Sequence, residues 1–139
     1  MPRLARLDAP GALHHVMARG IERRAIFRSD HDRDDLLSRL ATCGREGGAR
    51  ILAWTLLPNH WHALLRSGDV SLSRIMQRVL GGYARAFNRR HRRHGHLFQN
   101  RFKSVIVEEQ PYLLELVRYI HLNPLRAGLV ADLAALDRY

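Results

Sequence analysis

Two imidazoles two residues apart, in Pro58-Asn59-His60-Trp61-His62-Ala63-Leu64-Leu65, are the clearest sign of chemistry in this chain. Along a strand the side-chain period is two, so His60 and His62 project from one face and Trp61 from the other. Placed that way, two neutral imidazoles can chelate one divalent ion while the indole packs as core. The pair alone is equally compatible with a satisfied polar couple on a surface strand. A second constellation stands in Glu115-Leu116-Val117-Arg118-Tyr119-Ile120-His121-Leu122-Asn123-Pro124, where Glu115, Tyr119 and Asn123 are four apart and share one helical face. Taken singly, these are a tyrosine at a core margin, an asparagine ending a helix before proline, and a solvated glutamate. Tyr112, two turns before Tyr119, is a rival nucleophile that packing or surface residence explains better.

The elements that must position these residues follow from hydrophobic periodicity. After the Pro10-Gly11 turn, Ala12 to Arg19 reads as a first strand, and Arg19-Gly20-Ile21-Glu22-Arg23-Arg24 as a basic, glycine-hinged loop. Ser29-Asp30 caps a helix whose Leu36, Leu37 and Leu40 recur at helical spacing, with Gly44 and Gly47-Gly48 ending it. Ile51 to Leu57 is the near-continuous apolar run of a central strand, and Pro58-Asn59 a break or bulge before the neighbouring strand from His60 to Leu65. Ser71 caps an amphipathic helix through Ile75, Met76, Val79, Leu80, Tyr83 and Phe87. A basic segment, Asn88 to His96, precedes a strand ending near Val107, and Pro111 opens a last helix that Asn123-Pro124 stops. Strand, helix, paired strands, helix, strand, helix favours an α+β sandwich, with helices on one face of a largely antiparallel sheet.

At 139 residues the chain has core enough for one domain, 1–139. Its net charge of +10, from 23 Lys+Arg against 13 Asp+Glu, calls for an anionic partner, with nucleic acid the leading candidate. Lys103 is the only lysine; a genome rich in G and C exchanges lysine for arginine, yet does not create an excess of ten charges. The arginine fork also suits phosphate, to which it donates two parallel hydrogen bonds. Cys43 is alone, which excludes an intramolecular disulfide framework and a cysteine zinc site. Neither a signal-peptide run nor a membrane-length apolar stretch is present, so the expectation is a cytoplasmic, nucleoid-associated protein with no membrane partner.

Taken together, the blocks Pro10-Gly11, His15-Val16, Arg19-Gly20, Ile26-Phe27, Leu57-Pro58-Asn59-His60-Trp61-His62, Gly95-His96-Leu97-Phe98-Gln99-Asn100-Arg101-Phe102-Lys103 and Arg118-Tyr119-Ile120-His121-Leu122-Asn123-Pro124-Leu125-Arg126-Ala127-Gly128 span nearly the whole chain. In them the sequence resembles the REP-associated tyrosine transposases, within the transposases similar to insertion sequence 200. That resemblance implies the ferredoxin-like fold of HUH nucleases, with Trp61 between the two histidines. It also implies Tyr119 as nucleophile, Asn123 as third metal ligand beside His60 and His62, and a substrate of single-stranded DNA at hairpin-forming repeats. The chain stops at Asp137-Arg138-Tyr139, where many relatives continue with further aromatic residues, a departure bearing on target recognition more than on chemistry.

The implied chemistry suits these residue types. A phenol with an ordinary pKa of about 10 is a weak nucleophile toward an anionic phosphodiester. A divalent cation answers that electrostatic problem. Two imidazoles and one amide oxygen are compatible with Mg²⁺ or Mn²⁺, Mn²⁺ tolerating the nitrogens better. By the same resemblance, a 5′-phosphotyrosine and a free 3′-hydroxyl are the expected products.

Arg89, Arg90, Arg92, Arg93, Arg101 and Lys103 are candidate phosphate contacts, with Arg19, Arg23 and Arg24 a second patch and Phe98 or Phe102 a stacking surface. A solvated charged face with two core phenylalanines accounts for about half of these individually. His91, His94 and His96, flanked by arginines and without cysteine, make a poor zinc site. The wider group exchanges helices between subunits, so monomer and homodimer are both open, as is whether Tyr119 meets the histidines of its own chain. Three other functions fit parts of the pattern. A domesticated binding protein would not need His60, His62, Tyr119 and Asn123 all intact; a three-histidine nucleotide hydrolase would want histidine where Leu64 stands; and a replication or mobilisation nickase shares the chemistry without the flanking blocks.

Overall fold

The computed structural model describes residues 11–106. Glu115, Tyr112, Tyr119, Asn123 and the last helix expected from the sequence lie outside the described residues. Within them the order is β1 (Leu13–Arg19), α1 (Asp30–Glu46), β2 (Arg50–Leu57), β3 (His60–Arg66), α2 (Leu72–Arg90) and β4 (Lys103–Ile106). The four strands form one antiparallel sheet in the order β2-β3-β1-β4. This is the ferredoxin-like α+β arrangement that the sequence implies.

Alternation explains which face the helices cover. Val16 and Ala18 of β1, Leu56 of β2, and Trp61, Ala63 and Leu65 of β3 are buried in one apolar cluster with Leu36 and Leu40 of α1 and Leu72, Ile75, Met76, Val79, Tyr83 and Phe87 of α2. Leu13, Ala53, Leu57 and Leu64 are buried outside that cluster, and the strand register places them on the other face.

Both helices start as the sequence dictates: the hydroxyls of Ser29 and Ser71 accept from the backbone N–H groups of Asp32 and Arg74. Gly44 does not end α1; it is buried inside the helix, where a side chain would meet Ile51 at ordinary contact distance, and Gly47 serves as the C-cap. Helix α2 runs to Arg90, so the basic segment begins inside its last turn, where cations complement the helix dipole. Pro58-Asn59, the break or bulge expected from the sequence, is a break: a two-residue hairpin turn; a register irregularity sits between Ile51 and Ala53, near the start of β2. No helix among the described residues is long and apolar enough to cross a membrane.

At one end of the sheet, the connections into β2 and out of β3 meet backbone to backbone. A Cβ on Gly68 would lie 2.4 Å from the Gly48 carbonyl oxygen, and one on Gly47 would lie 2.8 Å from Ile75. At the other end, the fully buried Asp32 joins the start of α1 to the end of α2. Its carboxylate accepts from the Arg28 backbone N–H, from Arg90 Nε at 2.8 Å and from His91 Nε2 at 2.8 Å. Burial alone would raise this carboxyl, yet those hydrogen bonds and the His91 charge hold it below its ordinary value. Arg90 also meets Asp35, which in turn holds Arg39. Removing the carboxylate takes away the acceptor shared by the Arg28 N–H, the half-buried His91 imidazole and the Arg90 guanidinium, which would keep only Asp35. We therefore expect Asp32→Ala to lower unfolding stability by about 3 kcal/mol, read as a shift of the urea midpoint, with Arg39→Ala causing a much smaller loss.

Candidate functional site

His60 and His62 lie at the start of β3, immediately after the hairpin turn, on the sheet face away from the helices. Their rings are 5.0 Å apart between centroids and meet edge to face at 79°. Trp61, between them, is fully buried in the helix-side core, so one strand residue anchors the sheet while its two neighbours present nitrogen to the opposite side.

Each imidazole has a neighbour on its Nδ1. His60 Nδ1 is 2.8 Å from the Asn59 side-chain oxygen, an acceptor, so the proton is on Nδ1 and the lone pair on Nε2. The Asn59 amide leans on the Arg23 carbonyl at 3.5 Å, and the turn is tied down further by Ile26 N–H donating to the Pro58 carbonyl and Gly20 N–H to that of Asn59. His62 Nδ1 is 3.1 Å from Nε2 of His15, whose ring stacks on it at 5.2 Å and 24°. Among the described residues, His62 Nε2 is buried with no hydrogen-bond partner, and so is the hydroxyl of Thr55, which pairs with His62 across β2 and β3.

A buried imidazole nitrogen without a partner is costly unless something arrives to use it. Two imidazoles of this kind fit a divalent ion. Among the described residues no three His, Cys, Asp or Glu side chains converge to hold a metal. An ion held by this pair would need a further ligand from elsewhere, and Asn123, the third ligand expected from the sequence, lies outside the described residues.

The electrostatics keep the imidazoles of the site uncharged. Burial, then the charges of His60, His15 and Arg19, push His62 down to about 3; burial and Arg19 lower His60, and burial lowers His15. Neutral imidazole is the form that ligates.

Arg19 pairs with His60 across β1 and β3, which puts the first candidate phosphate contact beside the histidines. A small cavity of about 80 Å³ opens next to it, lined by Arg19, Gln99, Asn100, Arg101 and Lys103. The sequence segment 99–103 and the end of β1 therefore meet, joined by the Gln99 N–H donating to the Arg19 carbonyl. Arg23 and Arg24 are exposed on a single 3₁₀ turn, Ile21–Arg23, with Arg24 facing Glu22 at 3.5 Å. Gly20 is no hinge: it is buried, and a Cβ there would lie 2.2 Å from the Arg24 carbonyl oxygen, so glycine permits a close approach of backbone.

The basic segment after α2 divides. Arg89 and Arg92 are exposed. Arg90 is held by Asp32 and Asp35, and Arg93 donates to the Asn88 side chain and to the Gly95 and His96 carbonyls. His91 belongs to the Asp32 cluster. Phe102 is buried in the core, and Phe98 is half-buried with its ring leaning toward Tyr83, so packing accounts for both. His15 is the residue that sequence patterning passes over. Alternation within β1 puts His15 and Arg19 on one face, but only the cross-strand register shows that His15 meets His62.

Fold and site together define an antiparallel ferredoxin-like domain with a histidine pair on its helix-free face and basic side chains at the same end. A family model described as "Transposase IS200 like" matches residues 10–123, and the chain belongs to that family. Among solved structures, one of a REP-associated tyrosine transposase bound to a REP hairpin superposes with a TM-score of 0.81 at 20% identity, covering 97% of this chain and 79% of that one. A protein from Deinococcus radiodurans R1, described as a candidate transposase, superposes with a TM-score of 0.57 at 16% identity, over 86% of this chain and 94% of that one. No curated protein sequence matches the chain.

The lowered histidine values carry a sign. The unfolded chain takes up protons at these sites below about 6.5 while the folded chain resists, so their contribution to stability is complete above that pH and falls as the pH drops toward 3. The metal-free protein is expected to melt at a lower temperature at about pH 4.5 than at about pH 7.5. His62→Gln should narrow that gap in paired thermal melts.

Proposed function

We propose that this chain is a REP-associated tyrosine transposase that nicks and rejoins single-stranded DNA at hairpin-forming repeats, working as one domain over residues 1–139. The observation that carries the reading is the His60–His62 pair, fixed on one face of β3 with the buried, unpartnered His62 Nε2, in a chain of the IS200-like transposase family. His60, His62 and Asn123 would hold a divalent ion, Mg²⁺ or Mn²⁺. Bound there, it supplies charge neutralisation and polarisation at a phosphate oxygen.

The chain's own residues do the rest. Tyr119 supplies the nucleophile: its phenolic oxygen bonds to phosphorus as the bond from phosphorus to the 3′ oxygen breaks, giving a 5′-phosphotyrosine and a 3′-hydroxyl. The phenol gives its proton to solvent, and the departing oxygen takes one up. One phosphate ester replaces another, so the reverse attack by a 3′-hydroxyl rejoins a strand without an added energy source. Arg19, Arg101 and Lys103, at the histidine end of the sheet, grip phosphates flanking the scissile one, and Arg23, Arg24, Arg89 and Arg92 extend the basic surface along the DNA. Arg90 and Arg93 act on DNA through the shape they give the segment after α2. The protein works in the cytoplasm, on the nucleoid, as monomer or homodimer.

Covalent capture tests this reading. Incubated with end-labelled single-stranded hairpins from the flanks of its own gene, the chain should form an adduct stable on a denaturing gel with Mn²⁺ and none with chelator. Tyr119→Phe should abolish the adduct and leave binding nearly intact, since only the nucleophilic oxygen is lost. An adduct surviving in that variant would refute the assignment; retarded DNA with no adduct across several hairpins would mark a binding protein instead. Removing two phosphate contacts in Arg101→Ala with Lys103→Ala should lower the slope of log affinity against log salt by about 1.4. An unchanged slope takes both out of the interface.

A further inference from the structure

His15 has no part in the reaction outlined above, yet its ring nitrogen lies 3.1 Å from a nitrogen of the His62 ring. Antiparallel pairing sets Met17 opposite His62 and His15 opposite Leu64, so the two histidines are diagonal neighbours on one sheet face. Their rings stack at 24°, and the 3.1 Å contact runs from His15 Nε2 to His62 Nδ1.

That contact needs one proton. If His15 supplied it, His62 would carry its own proton on Nε2, the buried nitrogen with no partner, and a donor would be stranded. If His62 supplies it, Nε2 keeps a lone pair instead, and His15, half-buried, carries its proton on Nδ1, which is not among the buried unpartnered atoms. We propose that His15 is a positioning residue of the His60–His62 centre, accepting the Nδ1–H of His62 on its own Nε2 and so leaving His62 Nε2 as an electron-pair donor. The inference rests on reading the pair as metal ligands.

The arrangement gives each ligand its own orienting acceptor, Asn59 for His60 and His15 for His62. Outer partners of this kind fix ring orientation and tautomer and raise ligand basicity. His15 itself takes no place among the ligands, since the nitrogen nearest the site is already used. Its loss should weaken metal binding while leaving both ligands in the chain.

The test uses the full chain and two readouts independent of catalysis. Long-range proton–nitrogen NMR of the metal-free protein reports imidazole tautomers directly: His62 is expected as the Nδ1–H form, and an Nε2–H form overturns the proposal. Mn²⁺ titration followed by electron paramagnetic resonance should show His15→Ala binding 10–100-fold more weakly than wild type, on the order typical of outer-shell partners. His15→Gln, whose amide oxygen can still accept, should recover part of the loss. Equal affinity in wild type and His15→Ala overturns the role of His15 while His62→Ala, by losing the ion, upholds the metal site. A wild-type chain that binds no Mn²⁺ overturns both.

Discussion

The alternation of side chains along β3 is the constraint on which the rest of this structure depends. Trp61 is fully buried among the helices, and once it is there its neighbours have no choice of face. One apolar anchor therefore orients two polar groups without any specific contact of its own to them. The hairpin turn at Pro58-Asn59 and its bonds to the Gly20–Ile26 segment set where along the sheet that happens: at the end where Arg19, Arg101 and Lys103 gather.

Burial then does double duty. The same desolvation that would penalise a charged imidazole keeps His60 and His62 neutral, and the cationic Arg19 acts in the same direction. A site assembled this way repels protons and remains open to a partner that brings its own positive charge only through coordination. The net charge of the chain, +10, is of a different kind: a charge of that size acts at long range on any anionic partner and falls away with salt, whereas a histidine pair acts at contact.

Much of this was legible in the residues. Periodicity located the described helices and strands because their apolar positions recur at clean spacings, and the period of two put His60 and His62 on one face before any coordinates were known. Boundaries failed where local signals compete with packing: Gly44 reads as a stop, yet inside α1 it fits against Ile51; of the break or bulge read at Pro58-Asn59 the structure has the break, a tight turn, while the register irregularity falls between Ile51 and Ala53. Among the basic residues, sequence could not separate Arg89 from Arg90, because only the fold brings Asp32 to one and leaves the other in solvent. His15 stands in one of the blocks that carry the family resemblance, but its contact with His62 was not legible, for the same reason. Its partner is 47 positions away, and cross-strand register is not written in either strand alone.

The glycine junction of Gly47, Gly48 and Gly68 gives the domain a mechanical polarity. At that end two connections touch through backbone and leave no room for a side chain, so growth there must push main chain apart. At the opposite end the connections are also tied backbone to backbone, by Gly20 N–H to the Asn59 carbonyl, Ile26 N–H to that of Pro58 and Ile21 N–H to that of Leu97, but they carry exposed arginines above that frame. Mutational tolerance will be lopsided along the strand axis, with the remote end refusing added side chains and the histidine end able to exchange its exposed ones, such as Arg23 and Arg24, over a tied backbone. A lineage of such proteins can thus drift in what it recognises while its framework stays in register.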